Sequence, residues 1–231
     1  MAKVAAAKKA TRRAPGRSGR PPKELAGEVE ERILGAARQV FLERGFDGAS
    51  IDEVAEVARS GKPTIYARFA NKEALFAAVV MRSVLVRIEQ FGAEVPGGAT
   101  FEERLANLAR ALLQWVLVSS HVGLMRLAIS ESRRFPDLAA SVGAMARERG
   151  RQSVTQLLAE MAQADELRAL PAFGPERIAT TTRFFLDLVI LPMLLRALLG
   201  EKLEQLHAEM EPHVAHSLAF FLAGSTHGGV D

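Results

Sequence analysis

A short segment at residues 62–68 carries side chains whose chemistry suits a nucleic acid. Lys62 and Arg68 offer cations for a phosphate or for guanine. Thr64 and Tyr66 offer hydroxyl groups, which can bond to either kind of partner. The segment therefore predicts a surface that contacts double-stranded DNA.

The local charge and the neighbouring small residues agree with that prediction. Residues 57–72 contain no acidic side chain, while Arg59 and Lys72 add to the positive charge. Pro63 and Ala67 present small apolar groups, which suit the methyl group of thymine. The alternative interpretation is a helical hairpin with a solvated basic face and no nucleic-acid partner.

Two short predicted helices would position this surface. Ile65 and Phe69 are spaced i, i+4, so they predict the buried side of a helix that starts at Pro63. A preceding helix from Ile51 to about Ala58 is interrupted by the segment 59–61. Two short helices joined by a tight glycine-containing turn are typical of a helix-turn-helix, here at residues 50–69.

Terminal signals predict the limits of the flanking helices. The apolar pattern of the first helix begins near Glu24 and stops at Gly45, which suits a left-handed C-terminal position, with Phe46 folding back. Ser50 and Glu53 form a capping-box pattern, in which each side chain bonds to the other's backbone amide. Asn71 is the predicted N-cap of a fourth helix that continues to about residue 91.

Residues 28–91 resemble the DNA-binding domain of the tetracycline-repressor (TetR) family. The resemblance lies in the apolar pattern up to Phe41 and in Gly45-Phe46, Ser50-Ile51, Val54-Ala55, Lys62-Pro63-Thr64-Ile65-Tyr66, Phe69 and Asn71-Lys72-Glu73-Ala74-Leu75. It implies that phosphates are held by Ser50, Tyr66 and Lys72, and that bases are faced by Lys62, Pro63, Thr64 and Arg68. Ala67 is smaller than the family's frequent aromatic residue and the turn at 59–61 is uncommon, so the base preference does not transfer.

The first 23 residues are predicted to form a disordered basic arm. They hold eight of the lysines and arginines and no acid, which leaves the remaining chain at a formal charge of −5 although the whole carries +3. Arg17 and Arg20 lie in a Gly-Arg-Pro context that resembles arms inserted in the minor groove. A tail that binds polyanions without reading their sequence is the open alternative.

Pro96-Gly97-Gly98 interrupts the helical pattern, and the pattern of the residues that follow predicts an all-helical second domain. The predicted helical segments lie near 100–119, 121–134, 137–167, 174–199 and 203–223. Within it, the pattern from Arg126 through Glu131 to Arg133-Arg134-Phe135-Pro136 and Leu138 resembles the subgroup with an efflux-regulator (AefR-like) C-terminal domain.

That resemblance implies a small-molecule effector in the second domain. The predicted pocket would accept an anionic or amphipathic molecule and is lined by Leu112, Trp115, Met125, Arg126, Ile129 and Phe185. The alternative is that these are ordinary core residues and that Arg126 pairs internally with an acid.

The segment 184–199 is apolar on nearly every side, which predicts that a second subunit covers part of it. With the apolar positions of the final helix, from Leu203 to Leu222, it would form a four-helix packing about a two-fold axis. Such a homodimer matches a palindromic operator. A wholly internal core is the alternative.

Together these patterns predict an all-α protein with an arm (1–23), a helix-turn-helix DNA-binding domain (24–91) and a helical ligand-binding and dimerisation domain (92–231). The resemblance to the TetR family implies a transcriptional regulator, most simply a repressor that leaves its operator when the effector binds. The alternative is a protein that binds DNA non-specifically, or a membrane surface, through the basic arm.

Other function classes lack their signatures. The chain has no cysteine, no nucleophile elbow, no phosphate loop and no dinucleotide fingerprint, so neither an enzyme nor a cofactor site is expected. His213 and His216 form only a loose metal pattern, and no metal is expected. No export signal and no membrane span are read from the sequence, so the expected location is the cytoplasm.

Overall fold

The computed structural model describes residues 23–91, 97–164 and 170–226, and these residues form helices and turns with no strand. The helices are α1 (Lys23–Gly48), α2 (Ile51–Val57), α3 (Lys62–Tyr66), α4 (Lys72–Phe91), α5 (Phe101–Val116), α6 (Ser119–Ser130), α7 (Pro136–Ala164), α8 (Ile178–Val189), α9 (Leu191–Leu198) and α10 (Leu203–Thr226). A single 3₁₀ turn, Pro171–Phe173, precedes α8. The predicted all-α fold is confirmed.

The predicted end of the first helix is confirmed at Gly45. Its φ of 71° breaks the regular helical backbone inside α1, and glycine takes such angles without a steric penalty. The chain then turns so that Phe46 is buried, with its ring 5.2 Å from Phe76 and 6.0 Å from Phe41. This aromatic group lies at the centre of the N-terminal core.

Only half of the predicted capping box forms at α2. Ser50 Oγ accepts a hydrogen bond from the Glu53 amide at 3.2 Å, as predicted. The Glu53 carboxylate instead accepts from Arg44 Nε at 3.0 Å. An exposed cation from the preceding helix therefore replaces the Ser50 amide as the partner of Glu53.

The prediction of a single helix at 174–199 was wrong, because this segment divides into α8 and α9. Pro192 stands in the first turn of α9, and proline has no amide hydrogen to continue the helical bonds. Side chains of α10 bond to carbonyls at the break: His213 Nε2 donates to Val189 O at 2.8 Å, and Ser217 Oγ donates to Leu188 O at 3.3 Å. His213 therefore serves the packing of α10 on α8.

The structure has two apolar cores, and the boundary between them does not follow the chain order strictly. The C-terminal core combines α5, α7, α8, α9 and α10 around buried residues such as Leu105, Leu158 and Phe185. The N-terminal core combines α1 to α4 but also takes in Leu124 of α6, which is buried there. Helix α6 thus packs on both cores, since its Val122 is buried in the C-terminal one.

The α6–α7 connection adds further contacts between the two halves. The Phe135 ring lies 5.1 Å from the Phe46 ring, edge to face. Arg134 pairs with Asp47 at 2.5 Å and stacks over Phe46. The predicted domain boundary after residue 91 falls next to 92–96, which lie outside the described residues, and it stays a prediction.

No single helix among the described residues has both the length and the apolar composition of a membrane span. Two pairs of consecutive helices reach that length and composition together, but α5 and α6 are bent by 62° and α8 and α9 by 43°. Both pairs supply buried residues to the apolar cores.

Candidate nucleic-acid interface

Helix α3 is held by two buried side chains and presents its opposite side outward. Ile65 is fully buried and Phe69 nearly so, both in the N-terminal core. Gly61 is the N-cap and Pro63 lies in the first turn, so no amide hydrogen bond is lost there. The predicted inward pair is confirmed.

The predicted contact residues of α3 lie on its accessible side. Lys62 and Pro63 are exposed, and Tyr66 is 50% exposed. Thr64 and Arg68 are half-buried, and Arg68 Nη1 donates to the Thr64 carbonyl at 3.1 Å. That bond fixes the Arg68 side chain along the helix while leaving its other donors for a partner.

Lys62 has an ionic partner that the sequence pattern did not indicate. Its ammonium pairs with the carboxylate of Asp52, in the first turn of α2. The pKa of Lys62 is raised because Asp52 accepts its hydrogen bond and carries the opposite charge. The segment 57–72 is free of acid, but folding brings an acid from the neighbouring helix to its edge.

Lys72, a candidate phosphate contact, is bonded to the backbone before α2. Its Nζ donates to the carbonyls of Phe46, Asp47 and Ala49 at 2.9, 3.3 and 3.1 Å, and it lies 4.6 Å from the centre of the Phe46 ring. Ser50, the other candidate at this end, directly follows Ala49 and is exposed. The structure thus brings Lys72 and the N-terminus of α2 together.

The remaining predicted DNA contacts, Arg17 and Arg20, lie outside the described residues. The same is true of the whole stretch 1–22, so the arm stays a prediction.

The six residues of the predicted effector pocket occupy different environments. Leu112 and Phe185 are buried in the C-terminal core, and half-buried Trp115 packs against it. On α6, Met125 is half-buried and Ile129 is 55% exposed. These five residues therefore lie at different depths, from the buried core to the exposed surface.

The sixth residue, Arg126, bonds to the end of a helix and not to an acid. Its Nε donates to Leu198 O at 3.2 Å and its Nη2 donates to Ala197 O, both at the C-terminal end of α9. It also borders an open cleft of about 370 Å³ between α6 and the 200–204 link to α10. None of the other five lines that cleft.

A row of exposed apolar side chains runs along α8 and α9. We call it the α8–α9 stripe, and its members are Phe184, Leu188, Leu191, Leu195 and Leu199. Leu188 is half-buried, and the other four are at least 50% exposed. Phe220 of α10 is also exposed, at 78%, and it lies one turn from Ser217, whose hydroxyl donates to Leu188 O. In contrast, the predicted apolar positions Leu206, Met210 and Leu218 of α10 are buried in the chain's own core.

Two family comparisons cover most of the chain. Residues 33–79 match the family described as "Bacterial regulatory proteins, tetR family". Residues 103–224, more than half of the chain, match "AefR-like transcriptional repressor, C-terminal domain". The chain belongs to the TetR family. This TetR-family regulator accordingly has the helix-turn-helix in its N-terminal half and the family's helical domain behind it.

Solved structures resemble it along most of its length. A TetR-family transcriptional regulator from Mesorhizobium loti MAFF303099 is 26% identical, with a TM-score of 0.69, and the match covers 86% of this chain and 96% of that one. The flavonoid-responsive regulator FrrA is 30% identical, with a TM-score of 0.61, over 86% of this chain and 97% of its own. The all-helical fold is therefore that of the family.

Among curated relatives, the HTH-type transcriptional activator FasR of Mycolicibacterium smegmatis is 38% identical over 68 residues. The match covers 29% of this chain and only 30% of FasR. The similarity to this relative thus concerns less than a third of either protein.

Proposed function

We propose that the protein is a homodimeric repressor that binds a palindromic operator and is released when a small molecule binds its C-terminal domain. The observation that carries the proposal is the construction of α3. Buried Ile65 and Phe69 fix the helix, so that Lys62 and Tyr66 project outward behind a capped α2. Such a helix can enter the major groove.

Each candidate contact has a proposed role. Lys62, Pro63, Thr64 and Arg68 face base edges, while Tyr66 and Ser50 bond to phosphates. Lys72 contributes its charge to the same phosphates from its place over Phe46. The arm residues Arg17 and Arg20 are proposed to reach the adjacent minor groove.

The α8–α9 stripe supports the proposed homodimer. Apolar side chains that are half exposed in one chain leave water when a second copy covers them, and this gain drives association. A two-fold axis through the stripe would place the two copies of α3 in opposite directions along the duplex, each facing its own half-site in the same way. This is the symmetry of a palindrome.

We propose repression in preference to activation because of the second domain. The matching family is described as a repressor C-terminal domain. The activator FasR is similar over only 68 residues. A DNA-binding segment places a regulator on its site and does not by itself set the sign of regulation.

The effector is proposed to bind among Leu112, Trp115, Met125, Arg126, Ile129 and Phe185. Entry between α6 and the core would shift α6, which packs on α1 and α4. The effector must favour the arrangement that cannot bind DNA, because equal affinity for both states shifts nothing. FrrA responds to flavonoids, so flavonoids are the first compounds to test.

Trp115 makes the effector test direct, because it is the only tryptophan of the chain. A compound that binds the proposed site should change its fluorescence and release the operator over the same concentration range. Release without a fluorescence change would place the effector elsewhere.

The proposal assigns no catalysis and no cofactor, and it places the protein in the cytoplasm with the chromosome. The alternatives of non-specific DNA binding and of binding to a membrane surface make different predictions. Both would leave the affinity independent of the base sequence.

The deciding experiment begins by selecting duplexes from a random pool with the full-length protein. Its affinity for the selected duplex is then compared with that for a shuffled duplex at one salt concentration. We expect a ratio of at least ~10³. A ratio near one would contradict the proposal.

A variant pair ties this ratio to α3. The double substitution Lys62→Ala and Arg68→Ala should abolish the preference for the selected duplex. Its control is Arg149→Ala together with Arg147→Ala, which removes two exposed cations from α7. The control should keep the preference, and thermal melts of both variants exclude unfolding as the cause.

A further inference from the structure

The backbone of Arg59, in the turn between α2 and α3, has an unusual conformation. Its φ is 47°, and no other non-glycine residue in the described part of the chain has a positive φ. In this left-handed region the Cβ crowds the neighbouring carbonyl, so side chains other than those of glycine, asparagine and aspartate are rare.

Hydrogen bonds explain why the turn needs this conformation. The Ser60 amide donates to Ala55 O at 2.9 Å and the Arg59 amide donates to Glu56 O at 3.0 Å. Together these bonds are a Schellman motif, in which Arg59 holds the position that glycine usually takes. Arginine therefore occupies a position at which glycine would have a less strained backbone.

The Arg59 side chain makes no ionic or hydrogen-bonding contact with the described part of its own chain that would offset this backbone strain. It is exposed, and it forms no ion pair or side-chain hydrogen bond there. The other cations of the segment 57–72 all have partners: Lys62 pairs with Asp52, while Arg68 and Lys72 donate to carbonyls. Arg59 is thus the cation of this surface whose charge is left for an external anion.

We propose that Arg59 binds a backbone phosphate of the operator beside the groove that α3 enters. This inference rests on the proposed function. Arg59 lies three residues before Lys62 and outside α3, and in a helix-turn-helix the part before the reading helix lies against the backbone while the reading helix meets the bases. A guanidinium can bond to one phosphate through two parallel hydrogen bonds.

The test is Arg59→Gly in the full-length protein, because it separates stability from binding. Glycine relieves the strained position, so the melting temperature should stay the same or rise. The affinity for the selected duplex at about 0.1 M salt should fall roughly tenfold, and the slope of log affinity against log salt should become shallower by about 1.8, which is about 0.9 for the one phosphate contact of each subunit in the dimer. The shuffled duplex should lose affinity by a similar factor, since phosphates occur in every sequence.

Further variants separate charge from conformation. Arg59→Asn accepts the left-handed backbone without a charge and should bind as weakly as Arg59→Gly, whereas Arg59→Lys should retain most of the salt slope. Arg149→Ala, which removes one exposed charge from α7, should leave affinity and slope unchanged.

Full affinity of Arg59→Gly would overturn the assignment, and so would a loss confined to the selected duplex, which indicates base reading. The first of these outcomes does not depend on whether the protein prefers the selected duplex. If that preference is absent, the proposed function fails, while the effect of Arg59→Gly on the salt slope still tests the phosphate contact.

Discussion

Individual side chains of the candidate interface follow the sequence pattern where the pattern is local. The inward positions of Ile65 and Phe69 and the outward position of Tyr66 were predictable, because the helical period fixes them. The partners of Lys62 and Lys72 were not predictable. Each depends on contacts between elements, with Asp52 on α2 and with the carbonyls that follow Gly45.

The Asp52–Lys62 pair leads to a prediction about affinity. Asp52→Asn removes a negative charge from the DNA-facing edge and frees Lys62, so operator affinity should rise several-fold at low salt. This gain should shrink as the salt concentration rises, because salt screens the repulsion between the Asp52 carboxylate and the phosphates of the operator. Fluorescence anisotropy titrations at salt concentrations from about 50 to about 200 mM measure the operator affinity and its dependence on salt.

Glu56→Gln is the matched control, since it removes the same charge from an exposed position of the same helix. If it raises affinity as much as Asp52→Asn, the effect comes from net charge and not from the release of Lys62.

Elements were predictable to the extent that their ends carry local signals. Gly45, Ser50 and Asn71 mark helix ends in the sequence and in the structure, where Asn71 Oδ1 accepts from the Ala74 amide at 2.7 Å. The break before α9 was missed because the apolar pattern continues across it. The packing of α6 on the N-terminal core was missed because helical periodicity does not identify the partner of an apolar face.

Phe135 tests the contact between the two halves. Its ring packs against Phe46 and Phe76 from the far side of the domain boundary. Because it is half-buried, Phe135→Ala should lower the free energy of unfolding by about 2 kcal/mol, less than the ~3–5 kcal/mol of a core phenylalanine. Denaturant unfolding measures this, and Phe135→Leu should recover most of the loss. An unchanged unfolding midpoint for the alanine variant would show that the contact does not hold the halves together.

An ionic cluster joins α9 to α10 and makes a prediction about pH. Arg196 donates to Glu209 Oε2 at 2.7 Å and also pairs with Glu201. The pKa of Glu209 lies below its ordinary value of 4.5 because its carboxylate accepts this hydrogen bond. A carboxyl whose pKa is lower in the folded state stabilises the fold above its unfolded pKa, and this contribution disappears as the pH falls through the folded pKa.

The melting temperature of the Glu209→Gln variant should therefore lie slightly below that of the unchanged protein at pH 7. The difference should shrink as the pH falls below 4.5. Thermal melts from neutral to acidic pH measure the difference, and Glu204→Gln, at an exposed position of the same helix, is the control. A difference that grows on acidification has the wrong sign for this account.

The whole molecule is organised around two surfaces, α3 at one end of the chain and the α8–α9 stripe near the other. The sequence indicated that the segment 184–199 is too apolar to be covered on one side only. It did not show that Phe185 is buried while Phe184 is exposed. That division depends on where α10 lies. It also corrects the predicted contribution of α10, whose main apolar face is internal while Phe220 points outward.

Leu195→Glu tests the role of the stripe. A charge at a position that is 50% exposed in one chain should leave the fold intact but oppose its burial against a second copy. We expect a monomer in sedimentation at micromolar concentration, with operator affinity reduced at least ~100-fold because one half-site is lost. Ala144→Glu is the control, since that residue is exposed on α7 and lies outside the stripe. A dimeric Leu195→Glu variant would place the interface elsewhere.

The most direct test of two symmetric copies of α3 on one duplex is a spacing series made from the selected operator. Inserting five base pairs between the half-sites turns one of them by about half a helical turn, since a turn holds ~10–10.5 base pairs. We predict that the affinity falls at least ~100-fold with this insertion and that each half-site alone binds as weakly as the spaced operator. An affinity that does not change with the spacing would contradict the account.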